Sequence, residues 1–103
     1  MLYTSTRDNT VQVSASQAIA RGISEEGGLF VPCALPIFSK EKIESMVDMD
    51  YINRAKTVLK EFLTDFTEEE LDYCVNGAYA ENKFSSKKIA PIVNVNKNEN
   101  ILE

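Results

Sequence analysis

The sequence predicts an α+β fold, four helices packed on a few short strands, on three observations. Ser14, Ser39 and Thr67 each open a stretch with the side-chain pattern of a helix N-terminus. Residues 52–63 and 71–79 carry apolar side chains at helical spacing, one stripe each. Residues 2–6, 29–31 and 92–95 are short runs of apolar and β-branched residues that suit strands. At 103 residues the chain makes one domain, with a radius of gyration of roughly 13 Å if compact and one modest core.

Leu2 to Thr6 reads as the first strand, and Arg7-Asp8-Asn9-Thr10 has turn chemistry, because Asp and Asn bond their own backbone. Val11-Gln12-Val13 alternates at period two and is expected to pair back on residues 2–6 as a hairpin. Ser14 with Gln17 fits a capping box at the start of a helix over 14–22. Ala15, Ala18, Ile19, Gly22 and Ile23 give that helix a small-residue face able to approach a strand closely. It ends at Gly22, and Ser24-Glu25-Glu26-Gly27-Gly28 then turns the backbone into the strand 29–31. The glycine pair supplies the positive φ that such a corner needs, and Pro32 stops the ladder.

Pro32-Cys33-Ala34-Leu35-Pro36 is too rich in proline for regular structure. A short helix over 39–47 follows, capped by Ser39, with Phe38 and Ile43 at the spacing of a hydrophobic staple and Ile43, Met46 and Val47 facing inward. The longest helix, 50–64, has Ile52, Ala55, Val58, Leu59, Phe62 and Leu63 along one stripe. Asp50 and Lys60 complement its dipole. Thr67 with Glu70 is a second capping box, opening a helix over 67–80 whose expected buried stripe is Leu71, Cys74, Val75, Ala78 and Tyr79. Gly77 inside it costs about 1 kcal/mol against Ala, which suggests close packing there. Residues 82–88 read as loop, 92–95 as a strand, 96–100 as a turn and 101–103 as the start of another strand. An apolar, strand-like C-terminus reads as part of something longer.

The net charge is −5 and no stripe of Lys or Arg forms, so neither nucleic acid nor a membrane surface is expected as a partner. No apolar run reaches the roughly 18–20 residues of a membrane span. The first seven residues lack the basic flank and apolar core of an export signal. Cys33 and Cys74 are therefore expected as reduced thiols in a cytoplasmic protein, Cys74 in the core and Cys33 in a loop.

There is no histidine, so neither a Ser-His nor a Cys-His nucleophile pair exists in these residues. The two cysteines lack the paired spacing of a zinc site, and no glycine loop of nucleotide-binding type occurs. Glu25-Glu26 and Glu68-Glu69-Glu70 occupy ordinary solvated positions, without the contrasting environments that divide acid from base. Lys87-Lys88 reads as a solvated pair rather than a desolvated Schiff-base lysine. Residue chemistry alone yields no catalytic, cofactor-binding or metal-binding residue.

The wording of the chain adds a resemblance. Tyr3-Thr4-Ser5-Thr6-Arg7, then Val13-Ser14 with Gln17-Ala18-Ile19, then Gly22 through Pro32 resemble the opening of threonine synthase, in the bacterial and fungal form with an extra N-terminal domain. The resemblance continues through Leu35-Pro36 and 51–63, and returns at Ile89-Ala90-Pro91 and Ile101-Leu102-Glu103. It implies a threonine synthase N-terminal-domain-like fold. The family converts O-phosphohomoserine and water to threonine and phosphate with pyridoxal phosphate, and belongs with the tryptophan-synthase-β-like enzymes. In it, the stretch matching 101–103 runs into Leu-Phe-His-Gly-Pro-Thr, and the aldimine lysine follows in Phe-Lys-Asp. No position here matches that motif, so none inherits the catalytic role.

The resemblance accordingly implies an N-terminal domain over 1–90 and, over 91–103, the start of the segment leading into the catalytic domain. The expected partner is the C-terminal pyridoxal-phosphate-binding domain of the same polypeptide. Asp8 stands where many members have Gly, which alters the turn after Arg7. Arg7, Ser24, Gly27 and Gly28 are the candidates for contact with an anionic ligand or a neighbouring domain, since Arg suits bidentate phosphate binding. The structural alternative for Arg7 is pairing with an acid or a helix terminus. Two further readings are an acidic helical protein-interaction module and a self-sufficient small enzyme; the lack of His, metal motifs and nucleotide loops counts against the latter. Residues 89–103 are also expected to offer an apolar edge for self-association, unless they fold back on the domain's own sheet.

Overall fold

The structure is a computed structural model describing residues 1–103. Four helices and two separate two-stranded antiparallel sheets follow in the order β1 (Tyr3–Ser5), α1 (Ala15–Arg21), β2 (Phe30–Pro32), α2 (Lys40–Ser45), α3 (Tyr51–Phe62), α4 (Glu68–Ala78), β3 (Ile92–Asn96) and β4 (Glu99–Leu102). A single 3-10 turn, Glu81–Lys83, follows α4. The α+β class and all four expected helices are present, with ends that differ by one or two residues.

Every helix begins where a side chain takes up an otherwise orphaned amide. Ser14 accepts from the Gln17 N–H and Thr67 from the Glu70 N–H, each in a reciprocal capping box. Ser39 caps α2 through the Lys42 N–H, and Asp50 caps α3 through the Asn53 N–H.

The first strand finds a different partner from the one its neighbours suggest. β1 pairs with β2 in the register Tyr3↔Pro32, Thr4↔Val31 and Ser5↔Phe30. The expected hairpin with residues 11–13 reduces to one bridge, Tyr3↔Val13, in which both amides donate, at 2.8 and 3.0 Å. Ser14 already caps α1, so only Val13 remains extended beside β1.

The core is small: Val13, Ala15 and Ala18 on one side, Leu71 and Val75 of α4 on the other. Ala15 and Ala18 lie on the small-residue face of α1 as expected, whereas Ile19 and Ile23 of that face are exposed. Polar ties bind the first elements to the end of α3. Tyr3 donates its hydroxyl to the Phe62 carbonyl at 2.9 Å, and the Ser16 N–H and hydroxyl both reach the Asp65 carboxylate, at 3.0 and 2.5 Å.

Three expectations about packing are corrected. Ile43 and Val47 point to solvent rather than inward. The half-buried Lys42 pairs with Glu61 of α3 and lies 5.1 Å over the Phe38 ring, so the polar side of α2 takes the inner position. Cys74 and Ala78 are exposed, because the side chains that α4 buries are Leu71 and Val75. Gly77 has no close neighbour; a Cβ built there meets nothing within 4 Å.

β3 and β4 pair with each other, not with β1 and β2, and the turn shrinks to Lys97-Asn98 with an irregularity at Val95. Every residue of this hairpin is exposed. The radius of gyration is accordingly 16.4 Å, above the roughly 13 Å of a compact chain this long.

Candidate functional site

The corner between α1 and β2 is built by hydrogen bonds within the loop. Gly22, at φ 74°, ends α1, and Ile23 and Leu29 form a bridge across the loop mouth. Inside it, the Ser24 N–H donates to the Gly28 carbonyl at 3.0 Å and the Gly27 N–H to the Ser24 carbonyl at 2.8 Å. Of the glycine pair only Gly27 needs a positive φ, 83°. Gly28 is needed for room: a Cβ there would lie 2.0 Å from Ser5 Oγ and 3.1 Å from the Arg7 amide nitrogen.

That close approach creates a polar cluster around Glu26. Its carboxylate accepts from the Ser5 hydroxyl through Oε1 and from the Ser24 hydroxyl through Oε2, the latter at 2.8 Å. Both serines are buried. These bonds, led by the one from Ser5, hold the Glu26 carboxyl below the usual glutamate range, against the opposing effect of nearby Asp8. Thr6 locks the strand to the loop: its N–H donates to the Leu29 carbonyl at 2.9 Å and its hydroxyl accepts from the Leu29 N–H at 3.0 Å. Arg7 lies above, with Nη1 donating to the Glu26 carbonyl at 3.1 Å and no ion pair of its own. Asp8 accepts from the Thr10 hydroxyl at 2.6 Å and the Thr10 N–H at 2.9 Å, and its carboxyl too is held low.

The structure thus brings Arg7, Ser24, Gly27 and Gly28 into one place. What organises them is Glu26 with Ser5, residues the sequence reading left among solvated acids and in a plain strand. The available signal was the alternation of β1, which turns Ser5 toward the loop that the glycines leave open. Chemically the cluster is a fixed anion clamp. A carboxylate held low with both oxygens engaged is a poor acid or base near neutrality, so its work is holding β1 to the loop, while the Glu26 backbone carbonyl takes Arg7.

A family model described as "Threonine synthase N terminus" matches residues 2–79, the stretch that contains this clamp and all four helices. The chain belongs to the threonine synthase N-terminal family. Threonine synthase from Escherichia coli is 35% identical over 98 residues, an alignment covering 94% of this chain and 21% of that protein. Threonine synthase-like 1 from Homo sapiens is also 35% identical, over 91 residues, covering 85% of this chain and 12% of the relative. A crystal structure of PLP-bound threonine synthase from Brucella melitensis superposes on the whole chain with a TM-score of 0.86 at 30% identity, covering 22% of that protein. Among these relatives, then, the threonine synthase N-terminal domain forms about a fifth or less of a much longer polypeptide.

The lysines present do not fit the cofactor that the Brucella structure holds. Lys40, Lys42, Lys56 and Lys60 are paired with acids, and Lys83, Lys87, Lys88 and Lys97 are exposed, so none is enclosed as an aldimine lysine requires. No helix is long and apolar enough to cross a membrane.

Proposed function

We propose that this chain is the N-terminal domain of a cytoplasmic threonine synthase, a pyridoxal-phosphate enzyme converting O-phosphohomoserine and water to threonine and phosphate. The observation that carries the reading is the family match over 2–79, extended by superposition of the whole chain on a PLP-bound threonine synthase. On this reading residues 1–90 are the domain proper and 91–103 lead toward the C-terminal catalytic domain, its partner in the same polypeptide. The pairing of β3 with β4, in a sheet that takes in neither β1 nor β2, supports that division. The domain itself braces or covers the catalytic cleft and supplies no catalytic group.

Arg7, Ser24, Gly27 and Gly28 are proposed as part of the contact with the rest of the enzyme. Ser24 is committed to Glu26, and the glycines make room for Arg7 and Ser5; the remaining donors of Arg7 are free to reach across. With Asp8, Glu25 and Glu26 beside it, a backbone carbonyl or carboxylate of the neighbouring domain suits Arg7 better than a free phosphate.

The test is the full reading frame that contains this sequence, purified and assayed for phosphate release from O-phosphohomoserine. Release dependent on pyridoxal phosphate is expected. A longer product that binds the cofactor and leaves O-phosphohomoserine untouched refutes the assigned reaction. The 103-residue chain incubated with the cofactor and reduced with borohydride is expected to show only diffuse labelling of its exposed amines, whereas a single lysine labelled stoichiometrically and saturably would overturn the non-catalytic role.

A further inference from the structure

Positive charge outnumbers negative in one concave region of this acidic chain, where Arg54, Lys87 and Lys88 stand against Asp50 and Glu81. Two adjoining cavities, about 570 and 450 Å³, flank the first turn of α3 and share Asp50, Tyr51 and Lys87. Lys88 and Arg54 line the larger. Arg54 is fixed by bonds to the Met46, Val47 and Met49 carbonyls, at 3.1, 3.0 and 2.8 Å, and has no carboxylate partner. The ammonium groups of Lys87 and Lys88 have no protein acceptor, while the Asp50 carboxylate is occupied in capping α3. Ile89, at φ 65°, turns the backbone immediately after them.

Beside Glu81, Ser85 and Ser86, the smaller cavity carries a flat aromatic wall. Tyr51 and Tyr79 meet edge-on with ring centroids 5.0 Å apart, and Tyr79 stacks on Phe84 at 5.9 Å. All three rings line the smaller cavity. Small-molecule sites combine such an apolar wall with a few polar groups that fix orientation, in cavities of roughly 300–1,000 Å³. Aromatic walls favour a planar body, and paired ammonium groups favour an anionic end.

We propose that the cleft between the start of α3 and residues 84–92 binds a small organic anion with a flat apolar body. Lys87 and Lys88 hold the anionic end, and Tyr51, Tyr79 and Phe84 line its body. The site does not depend on the reaction of the whole enzyme.

Phenyl phosphate is the probe, titrated into the 103-residue chain at low ionic strength by calorimetry and amide-shift mapping. Saturable binding is expected, with shifts at 51–54, 79 and 84–92, and with inorganic phosphate or phenol alone at least tenfold weaker. Lys87→Ala with Lys88→Ala should weaken binding by about fivefold or more, and Lys97→Ala, on the hairpin turn, should leave it unchanged. Both cleft lysines are exposed, so the fold should survive, as circular dichroism will report. If the double variant nonetheless unfolds, the shift map of the unaltered chain decides. Absent binding, shifts spread over all lysines, phosphate binding as tightly as phenyl phosphate, or undiminished affinity in a folded double variant would each overturn the proposal.

Discussion

Gly28 and Gly77 are the same residue under opposite constraints. A methyl group at 28 meets Ser5 Oγ at 2.0 Å, Glu26 Oε1 at 2.9 Å and the Arg7 amide at 3.1 Å, so the clamp must open to admit it. Gly28→Ala is expected to destabilise the chain by about 1–3 kcal/mol. At 77 the same methyl meets open space on a helix, and Gly77→Ala is expected to stabilise by about 0.5–1 kcal/mol. Urea midpoints of the two variants, moving in opposite directions, check both. The clamp also has a pH signature. The Glu26 carboxyl is held low in the folded chain, so the stability it contributes is fully present above its unfolded value near 4.5. It is lost as pH falls through the lowered folded value. Between about pH 6 and pH 3, Glu26→Gln should therefore lose less stability than the unaltered chain. Asp8 and Asp65, also held low by hydrogen bonds, keep some acid sensitivity in the variant. Parallel curves would show that Glu26 contributes nothing through its charge.

Capped helices do not carry equal weight. Thr67 opens α4, whose Leu71 and Val75 are in the core, whereas Ser39 opens the six-residue α2, which buries no residue. Thr67→Ala should cost about 1 kcal/mol of global stability. Ser39→Ala should leave the global midpoint in place and speed amide exchange only within α2, the mark of local fraying. A global loss from Ser39→Ala as large as that from Thr67→Ala would refute the distinction. The same contrast explains what was legible in the sequence. Caps are contacts over three residues, so Ser14, Ser39, Asp50 and Thr67 could be read directly. The outward direction of Ile43 and Val47 could not, because it was decided by Glu61 and Arg54, whose meeting with α2 is tertiary. Strand pairing failed similarly: residues 11–13 were nearer in sequence, but β2 offered β1 three paired positions against one bridge. The glycine corner and Arg7 were visible as a motif. The carboxylate that ties Ser5 to Ser24 was not, since nothing local distinguishes Glu26 from Glu25.

At the scale of the whole molecule, the β3–β4 hairpin forms a sheet of its own, and Ile92 and Leu102 meet the start of α3 only across the larger cavity they help to line. Ile92 opposes Leu102, and Val93 opposes Ile101. Successive positions alternate sides, so both faces of the ribbon carry apolar side chains. Each face is exposed, with Ile92 and Leu102 at 72% and 70% and Val93 and Ile101 at 37% and 53%. A ribbon apolar on both sides is the pattern of strands covered twice, as within a larger sheet. A two-stranded hairpin is marginal alone in water, and its two edges carry unpaired amides and carbonyls. We expect the chain to self-associate through residues 89–103 when nothing else covers them. Removal of the residues after Ala90 takes away no fully buried side chain: β3 and β4 are exposed throughout and Pro91 is half-buried. The shortened chain should thus keep the same urea midpoint while becoming monomeric and more soluble. Light scattering across a concentration series on both chains checks this. If both are monomeric and equally soluble, the polar Asn94–Asn100 pair and Lys97 suffice to blunt the edge, and the hairpin is not an adhesive surface. If truncation instead unfolds the body, residues 91–103 belong to its folding unit and the division at 90 is wrong.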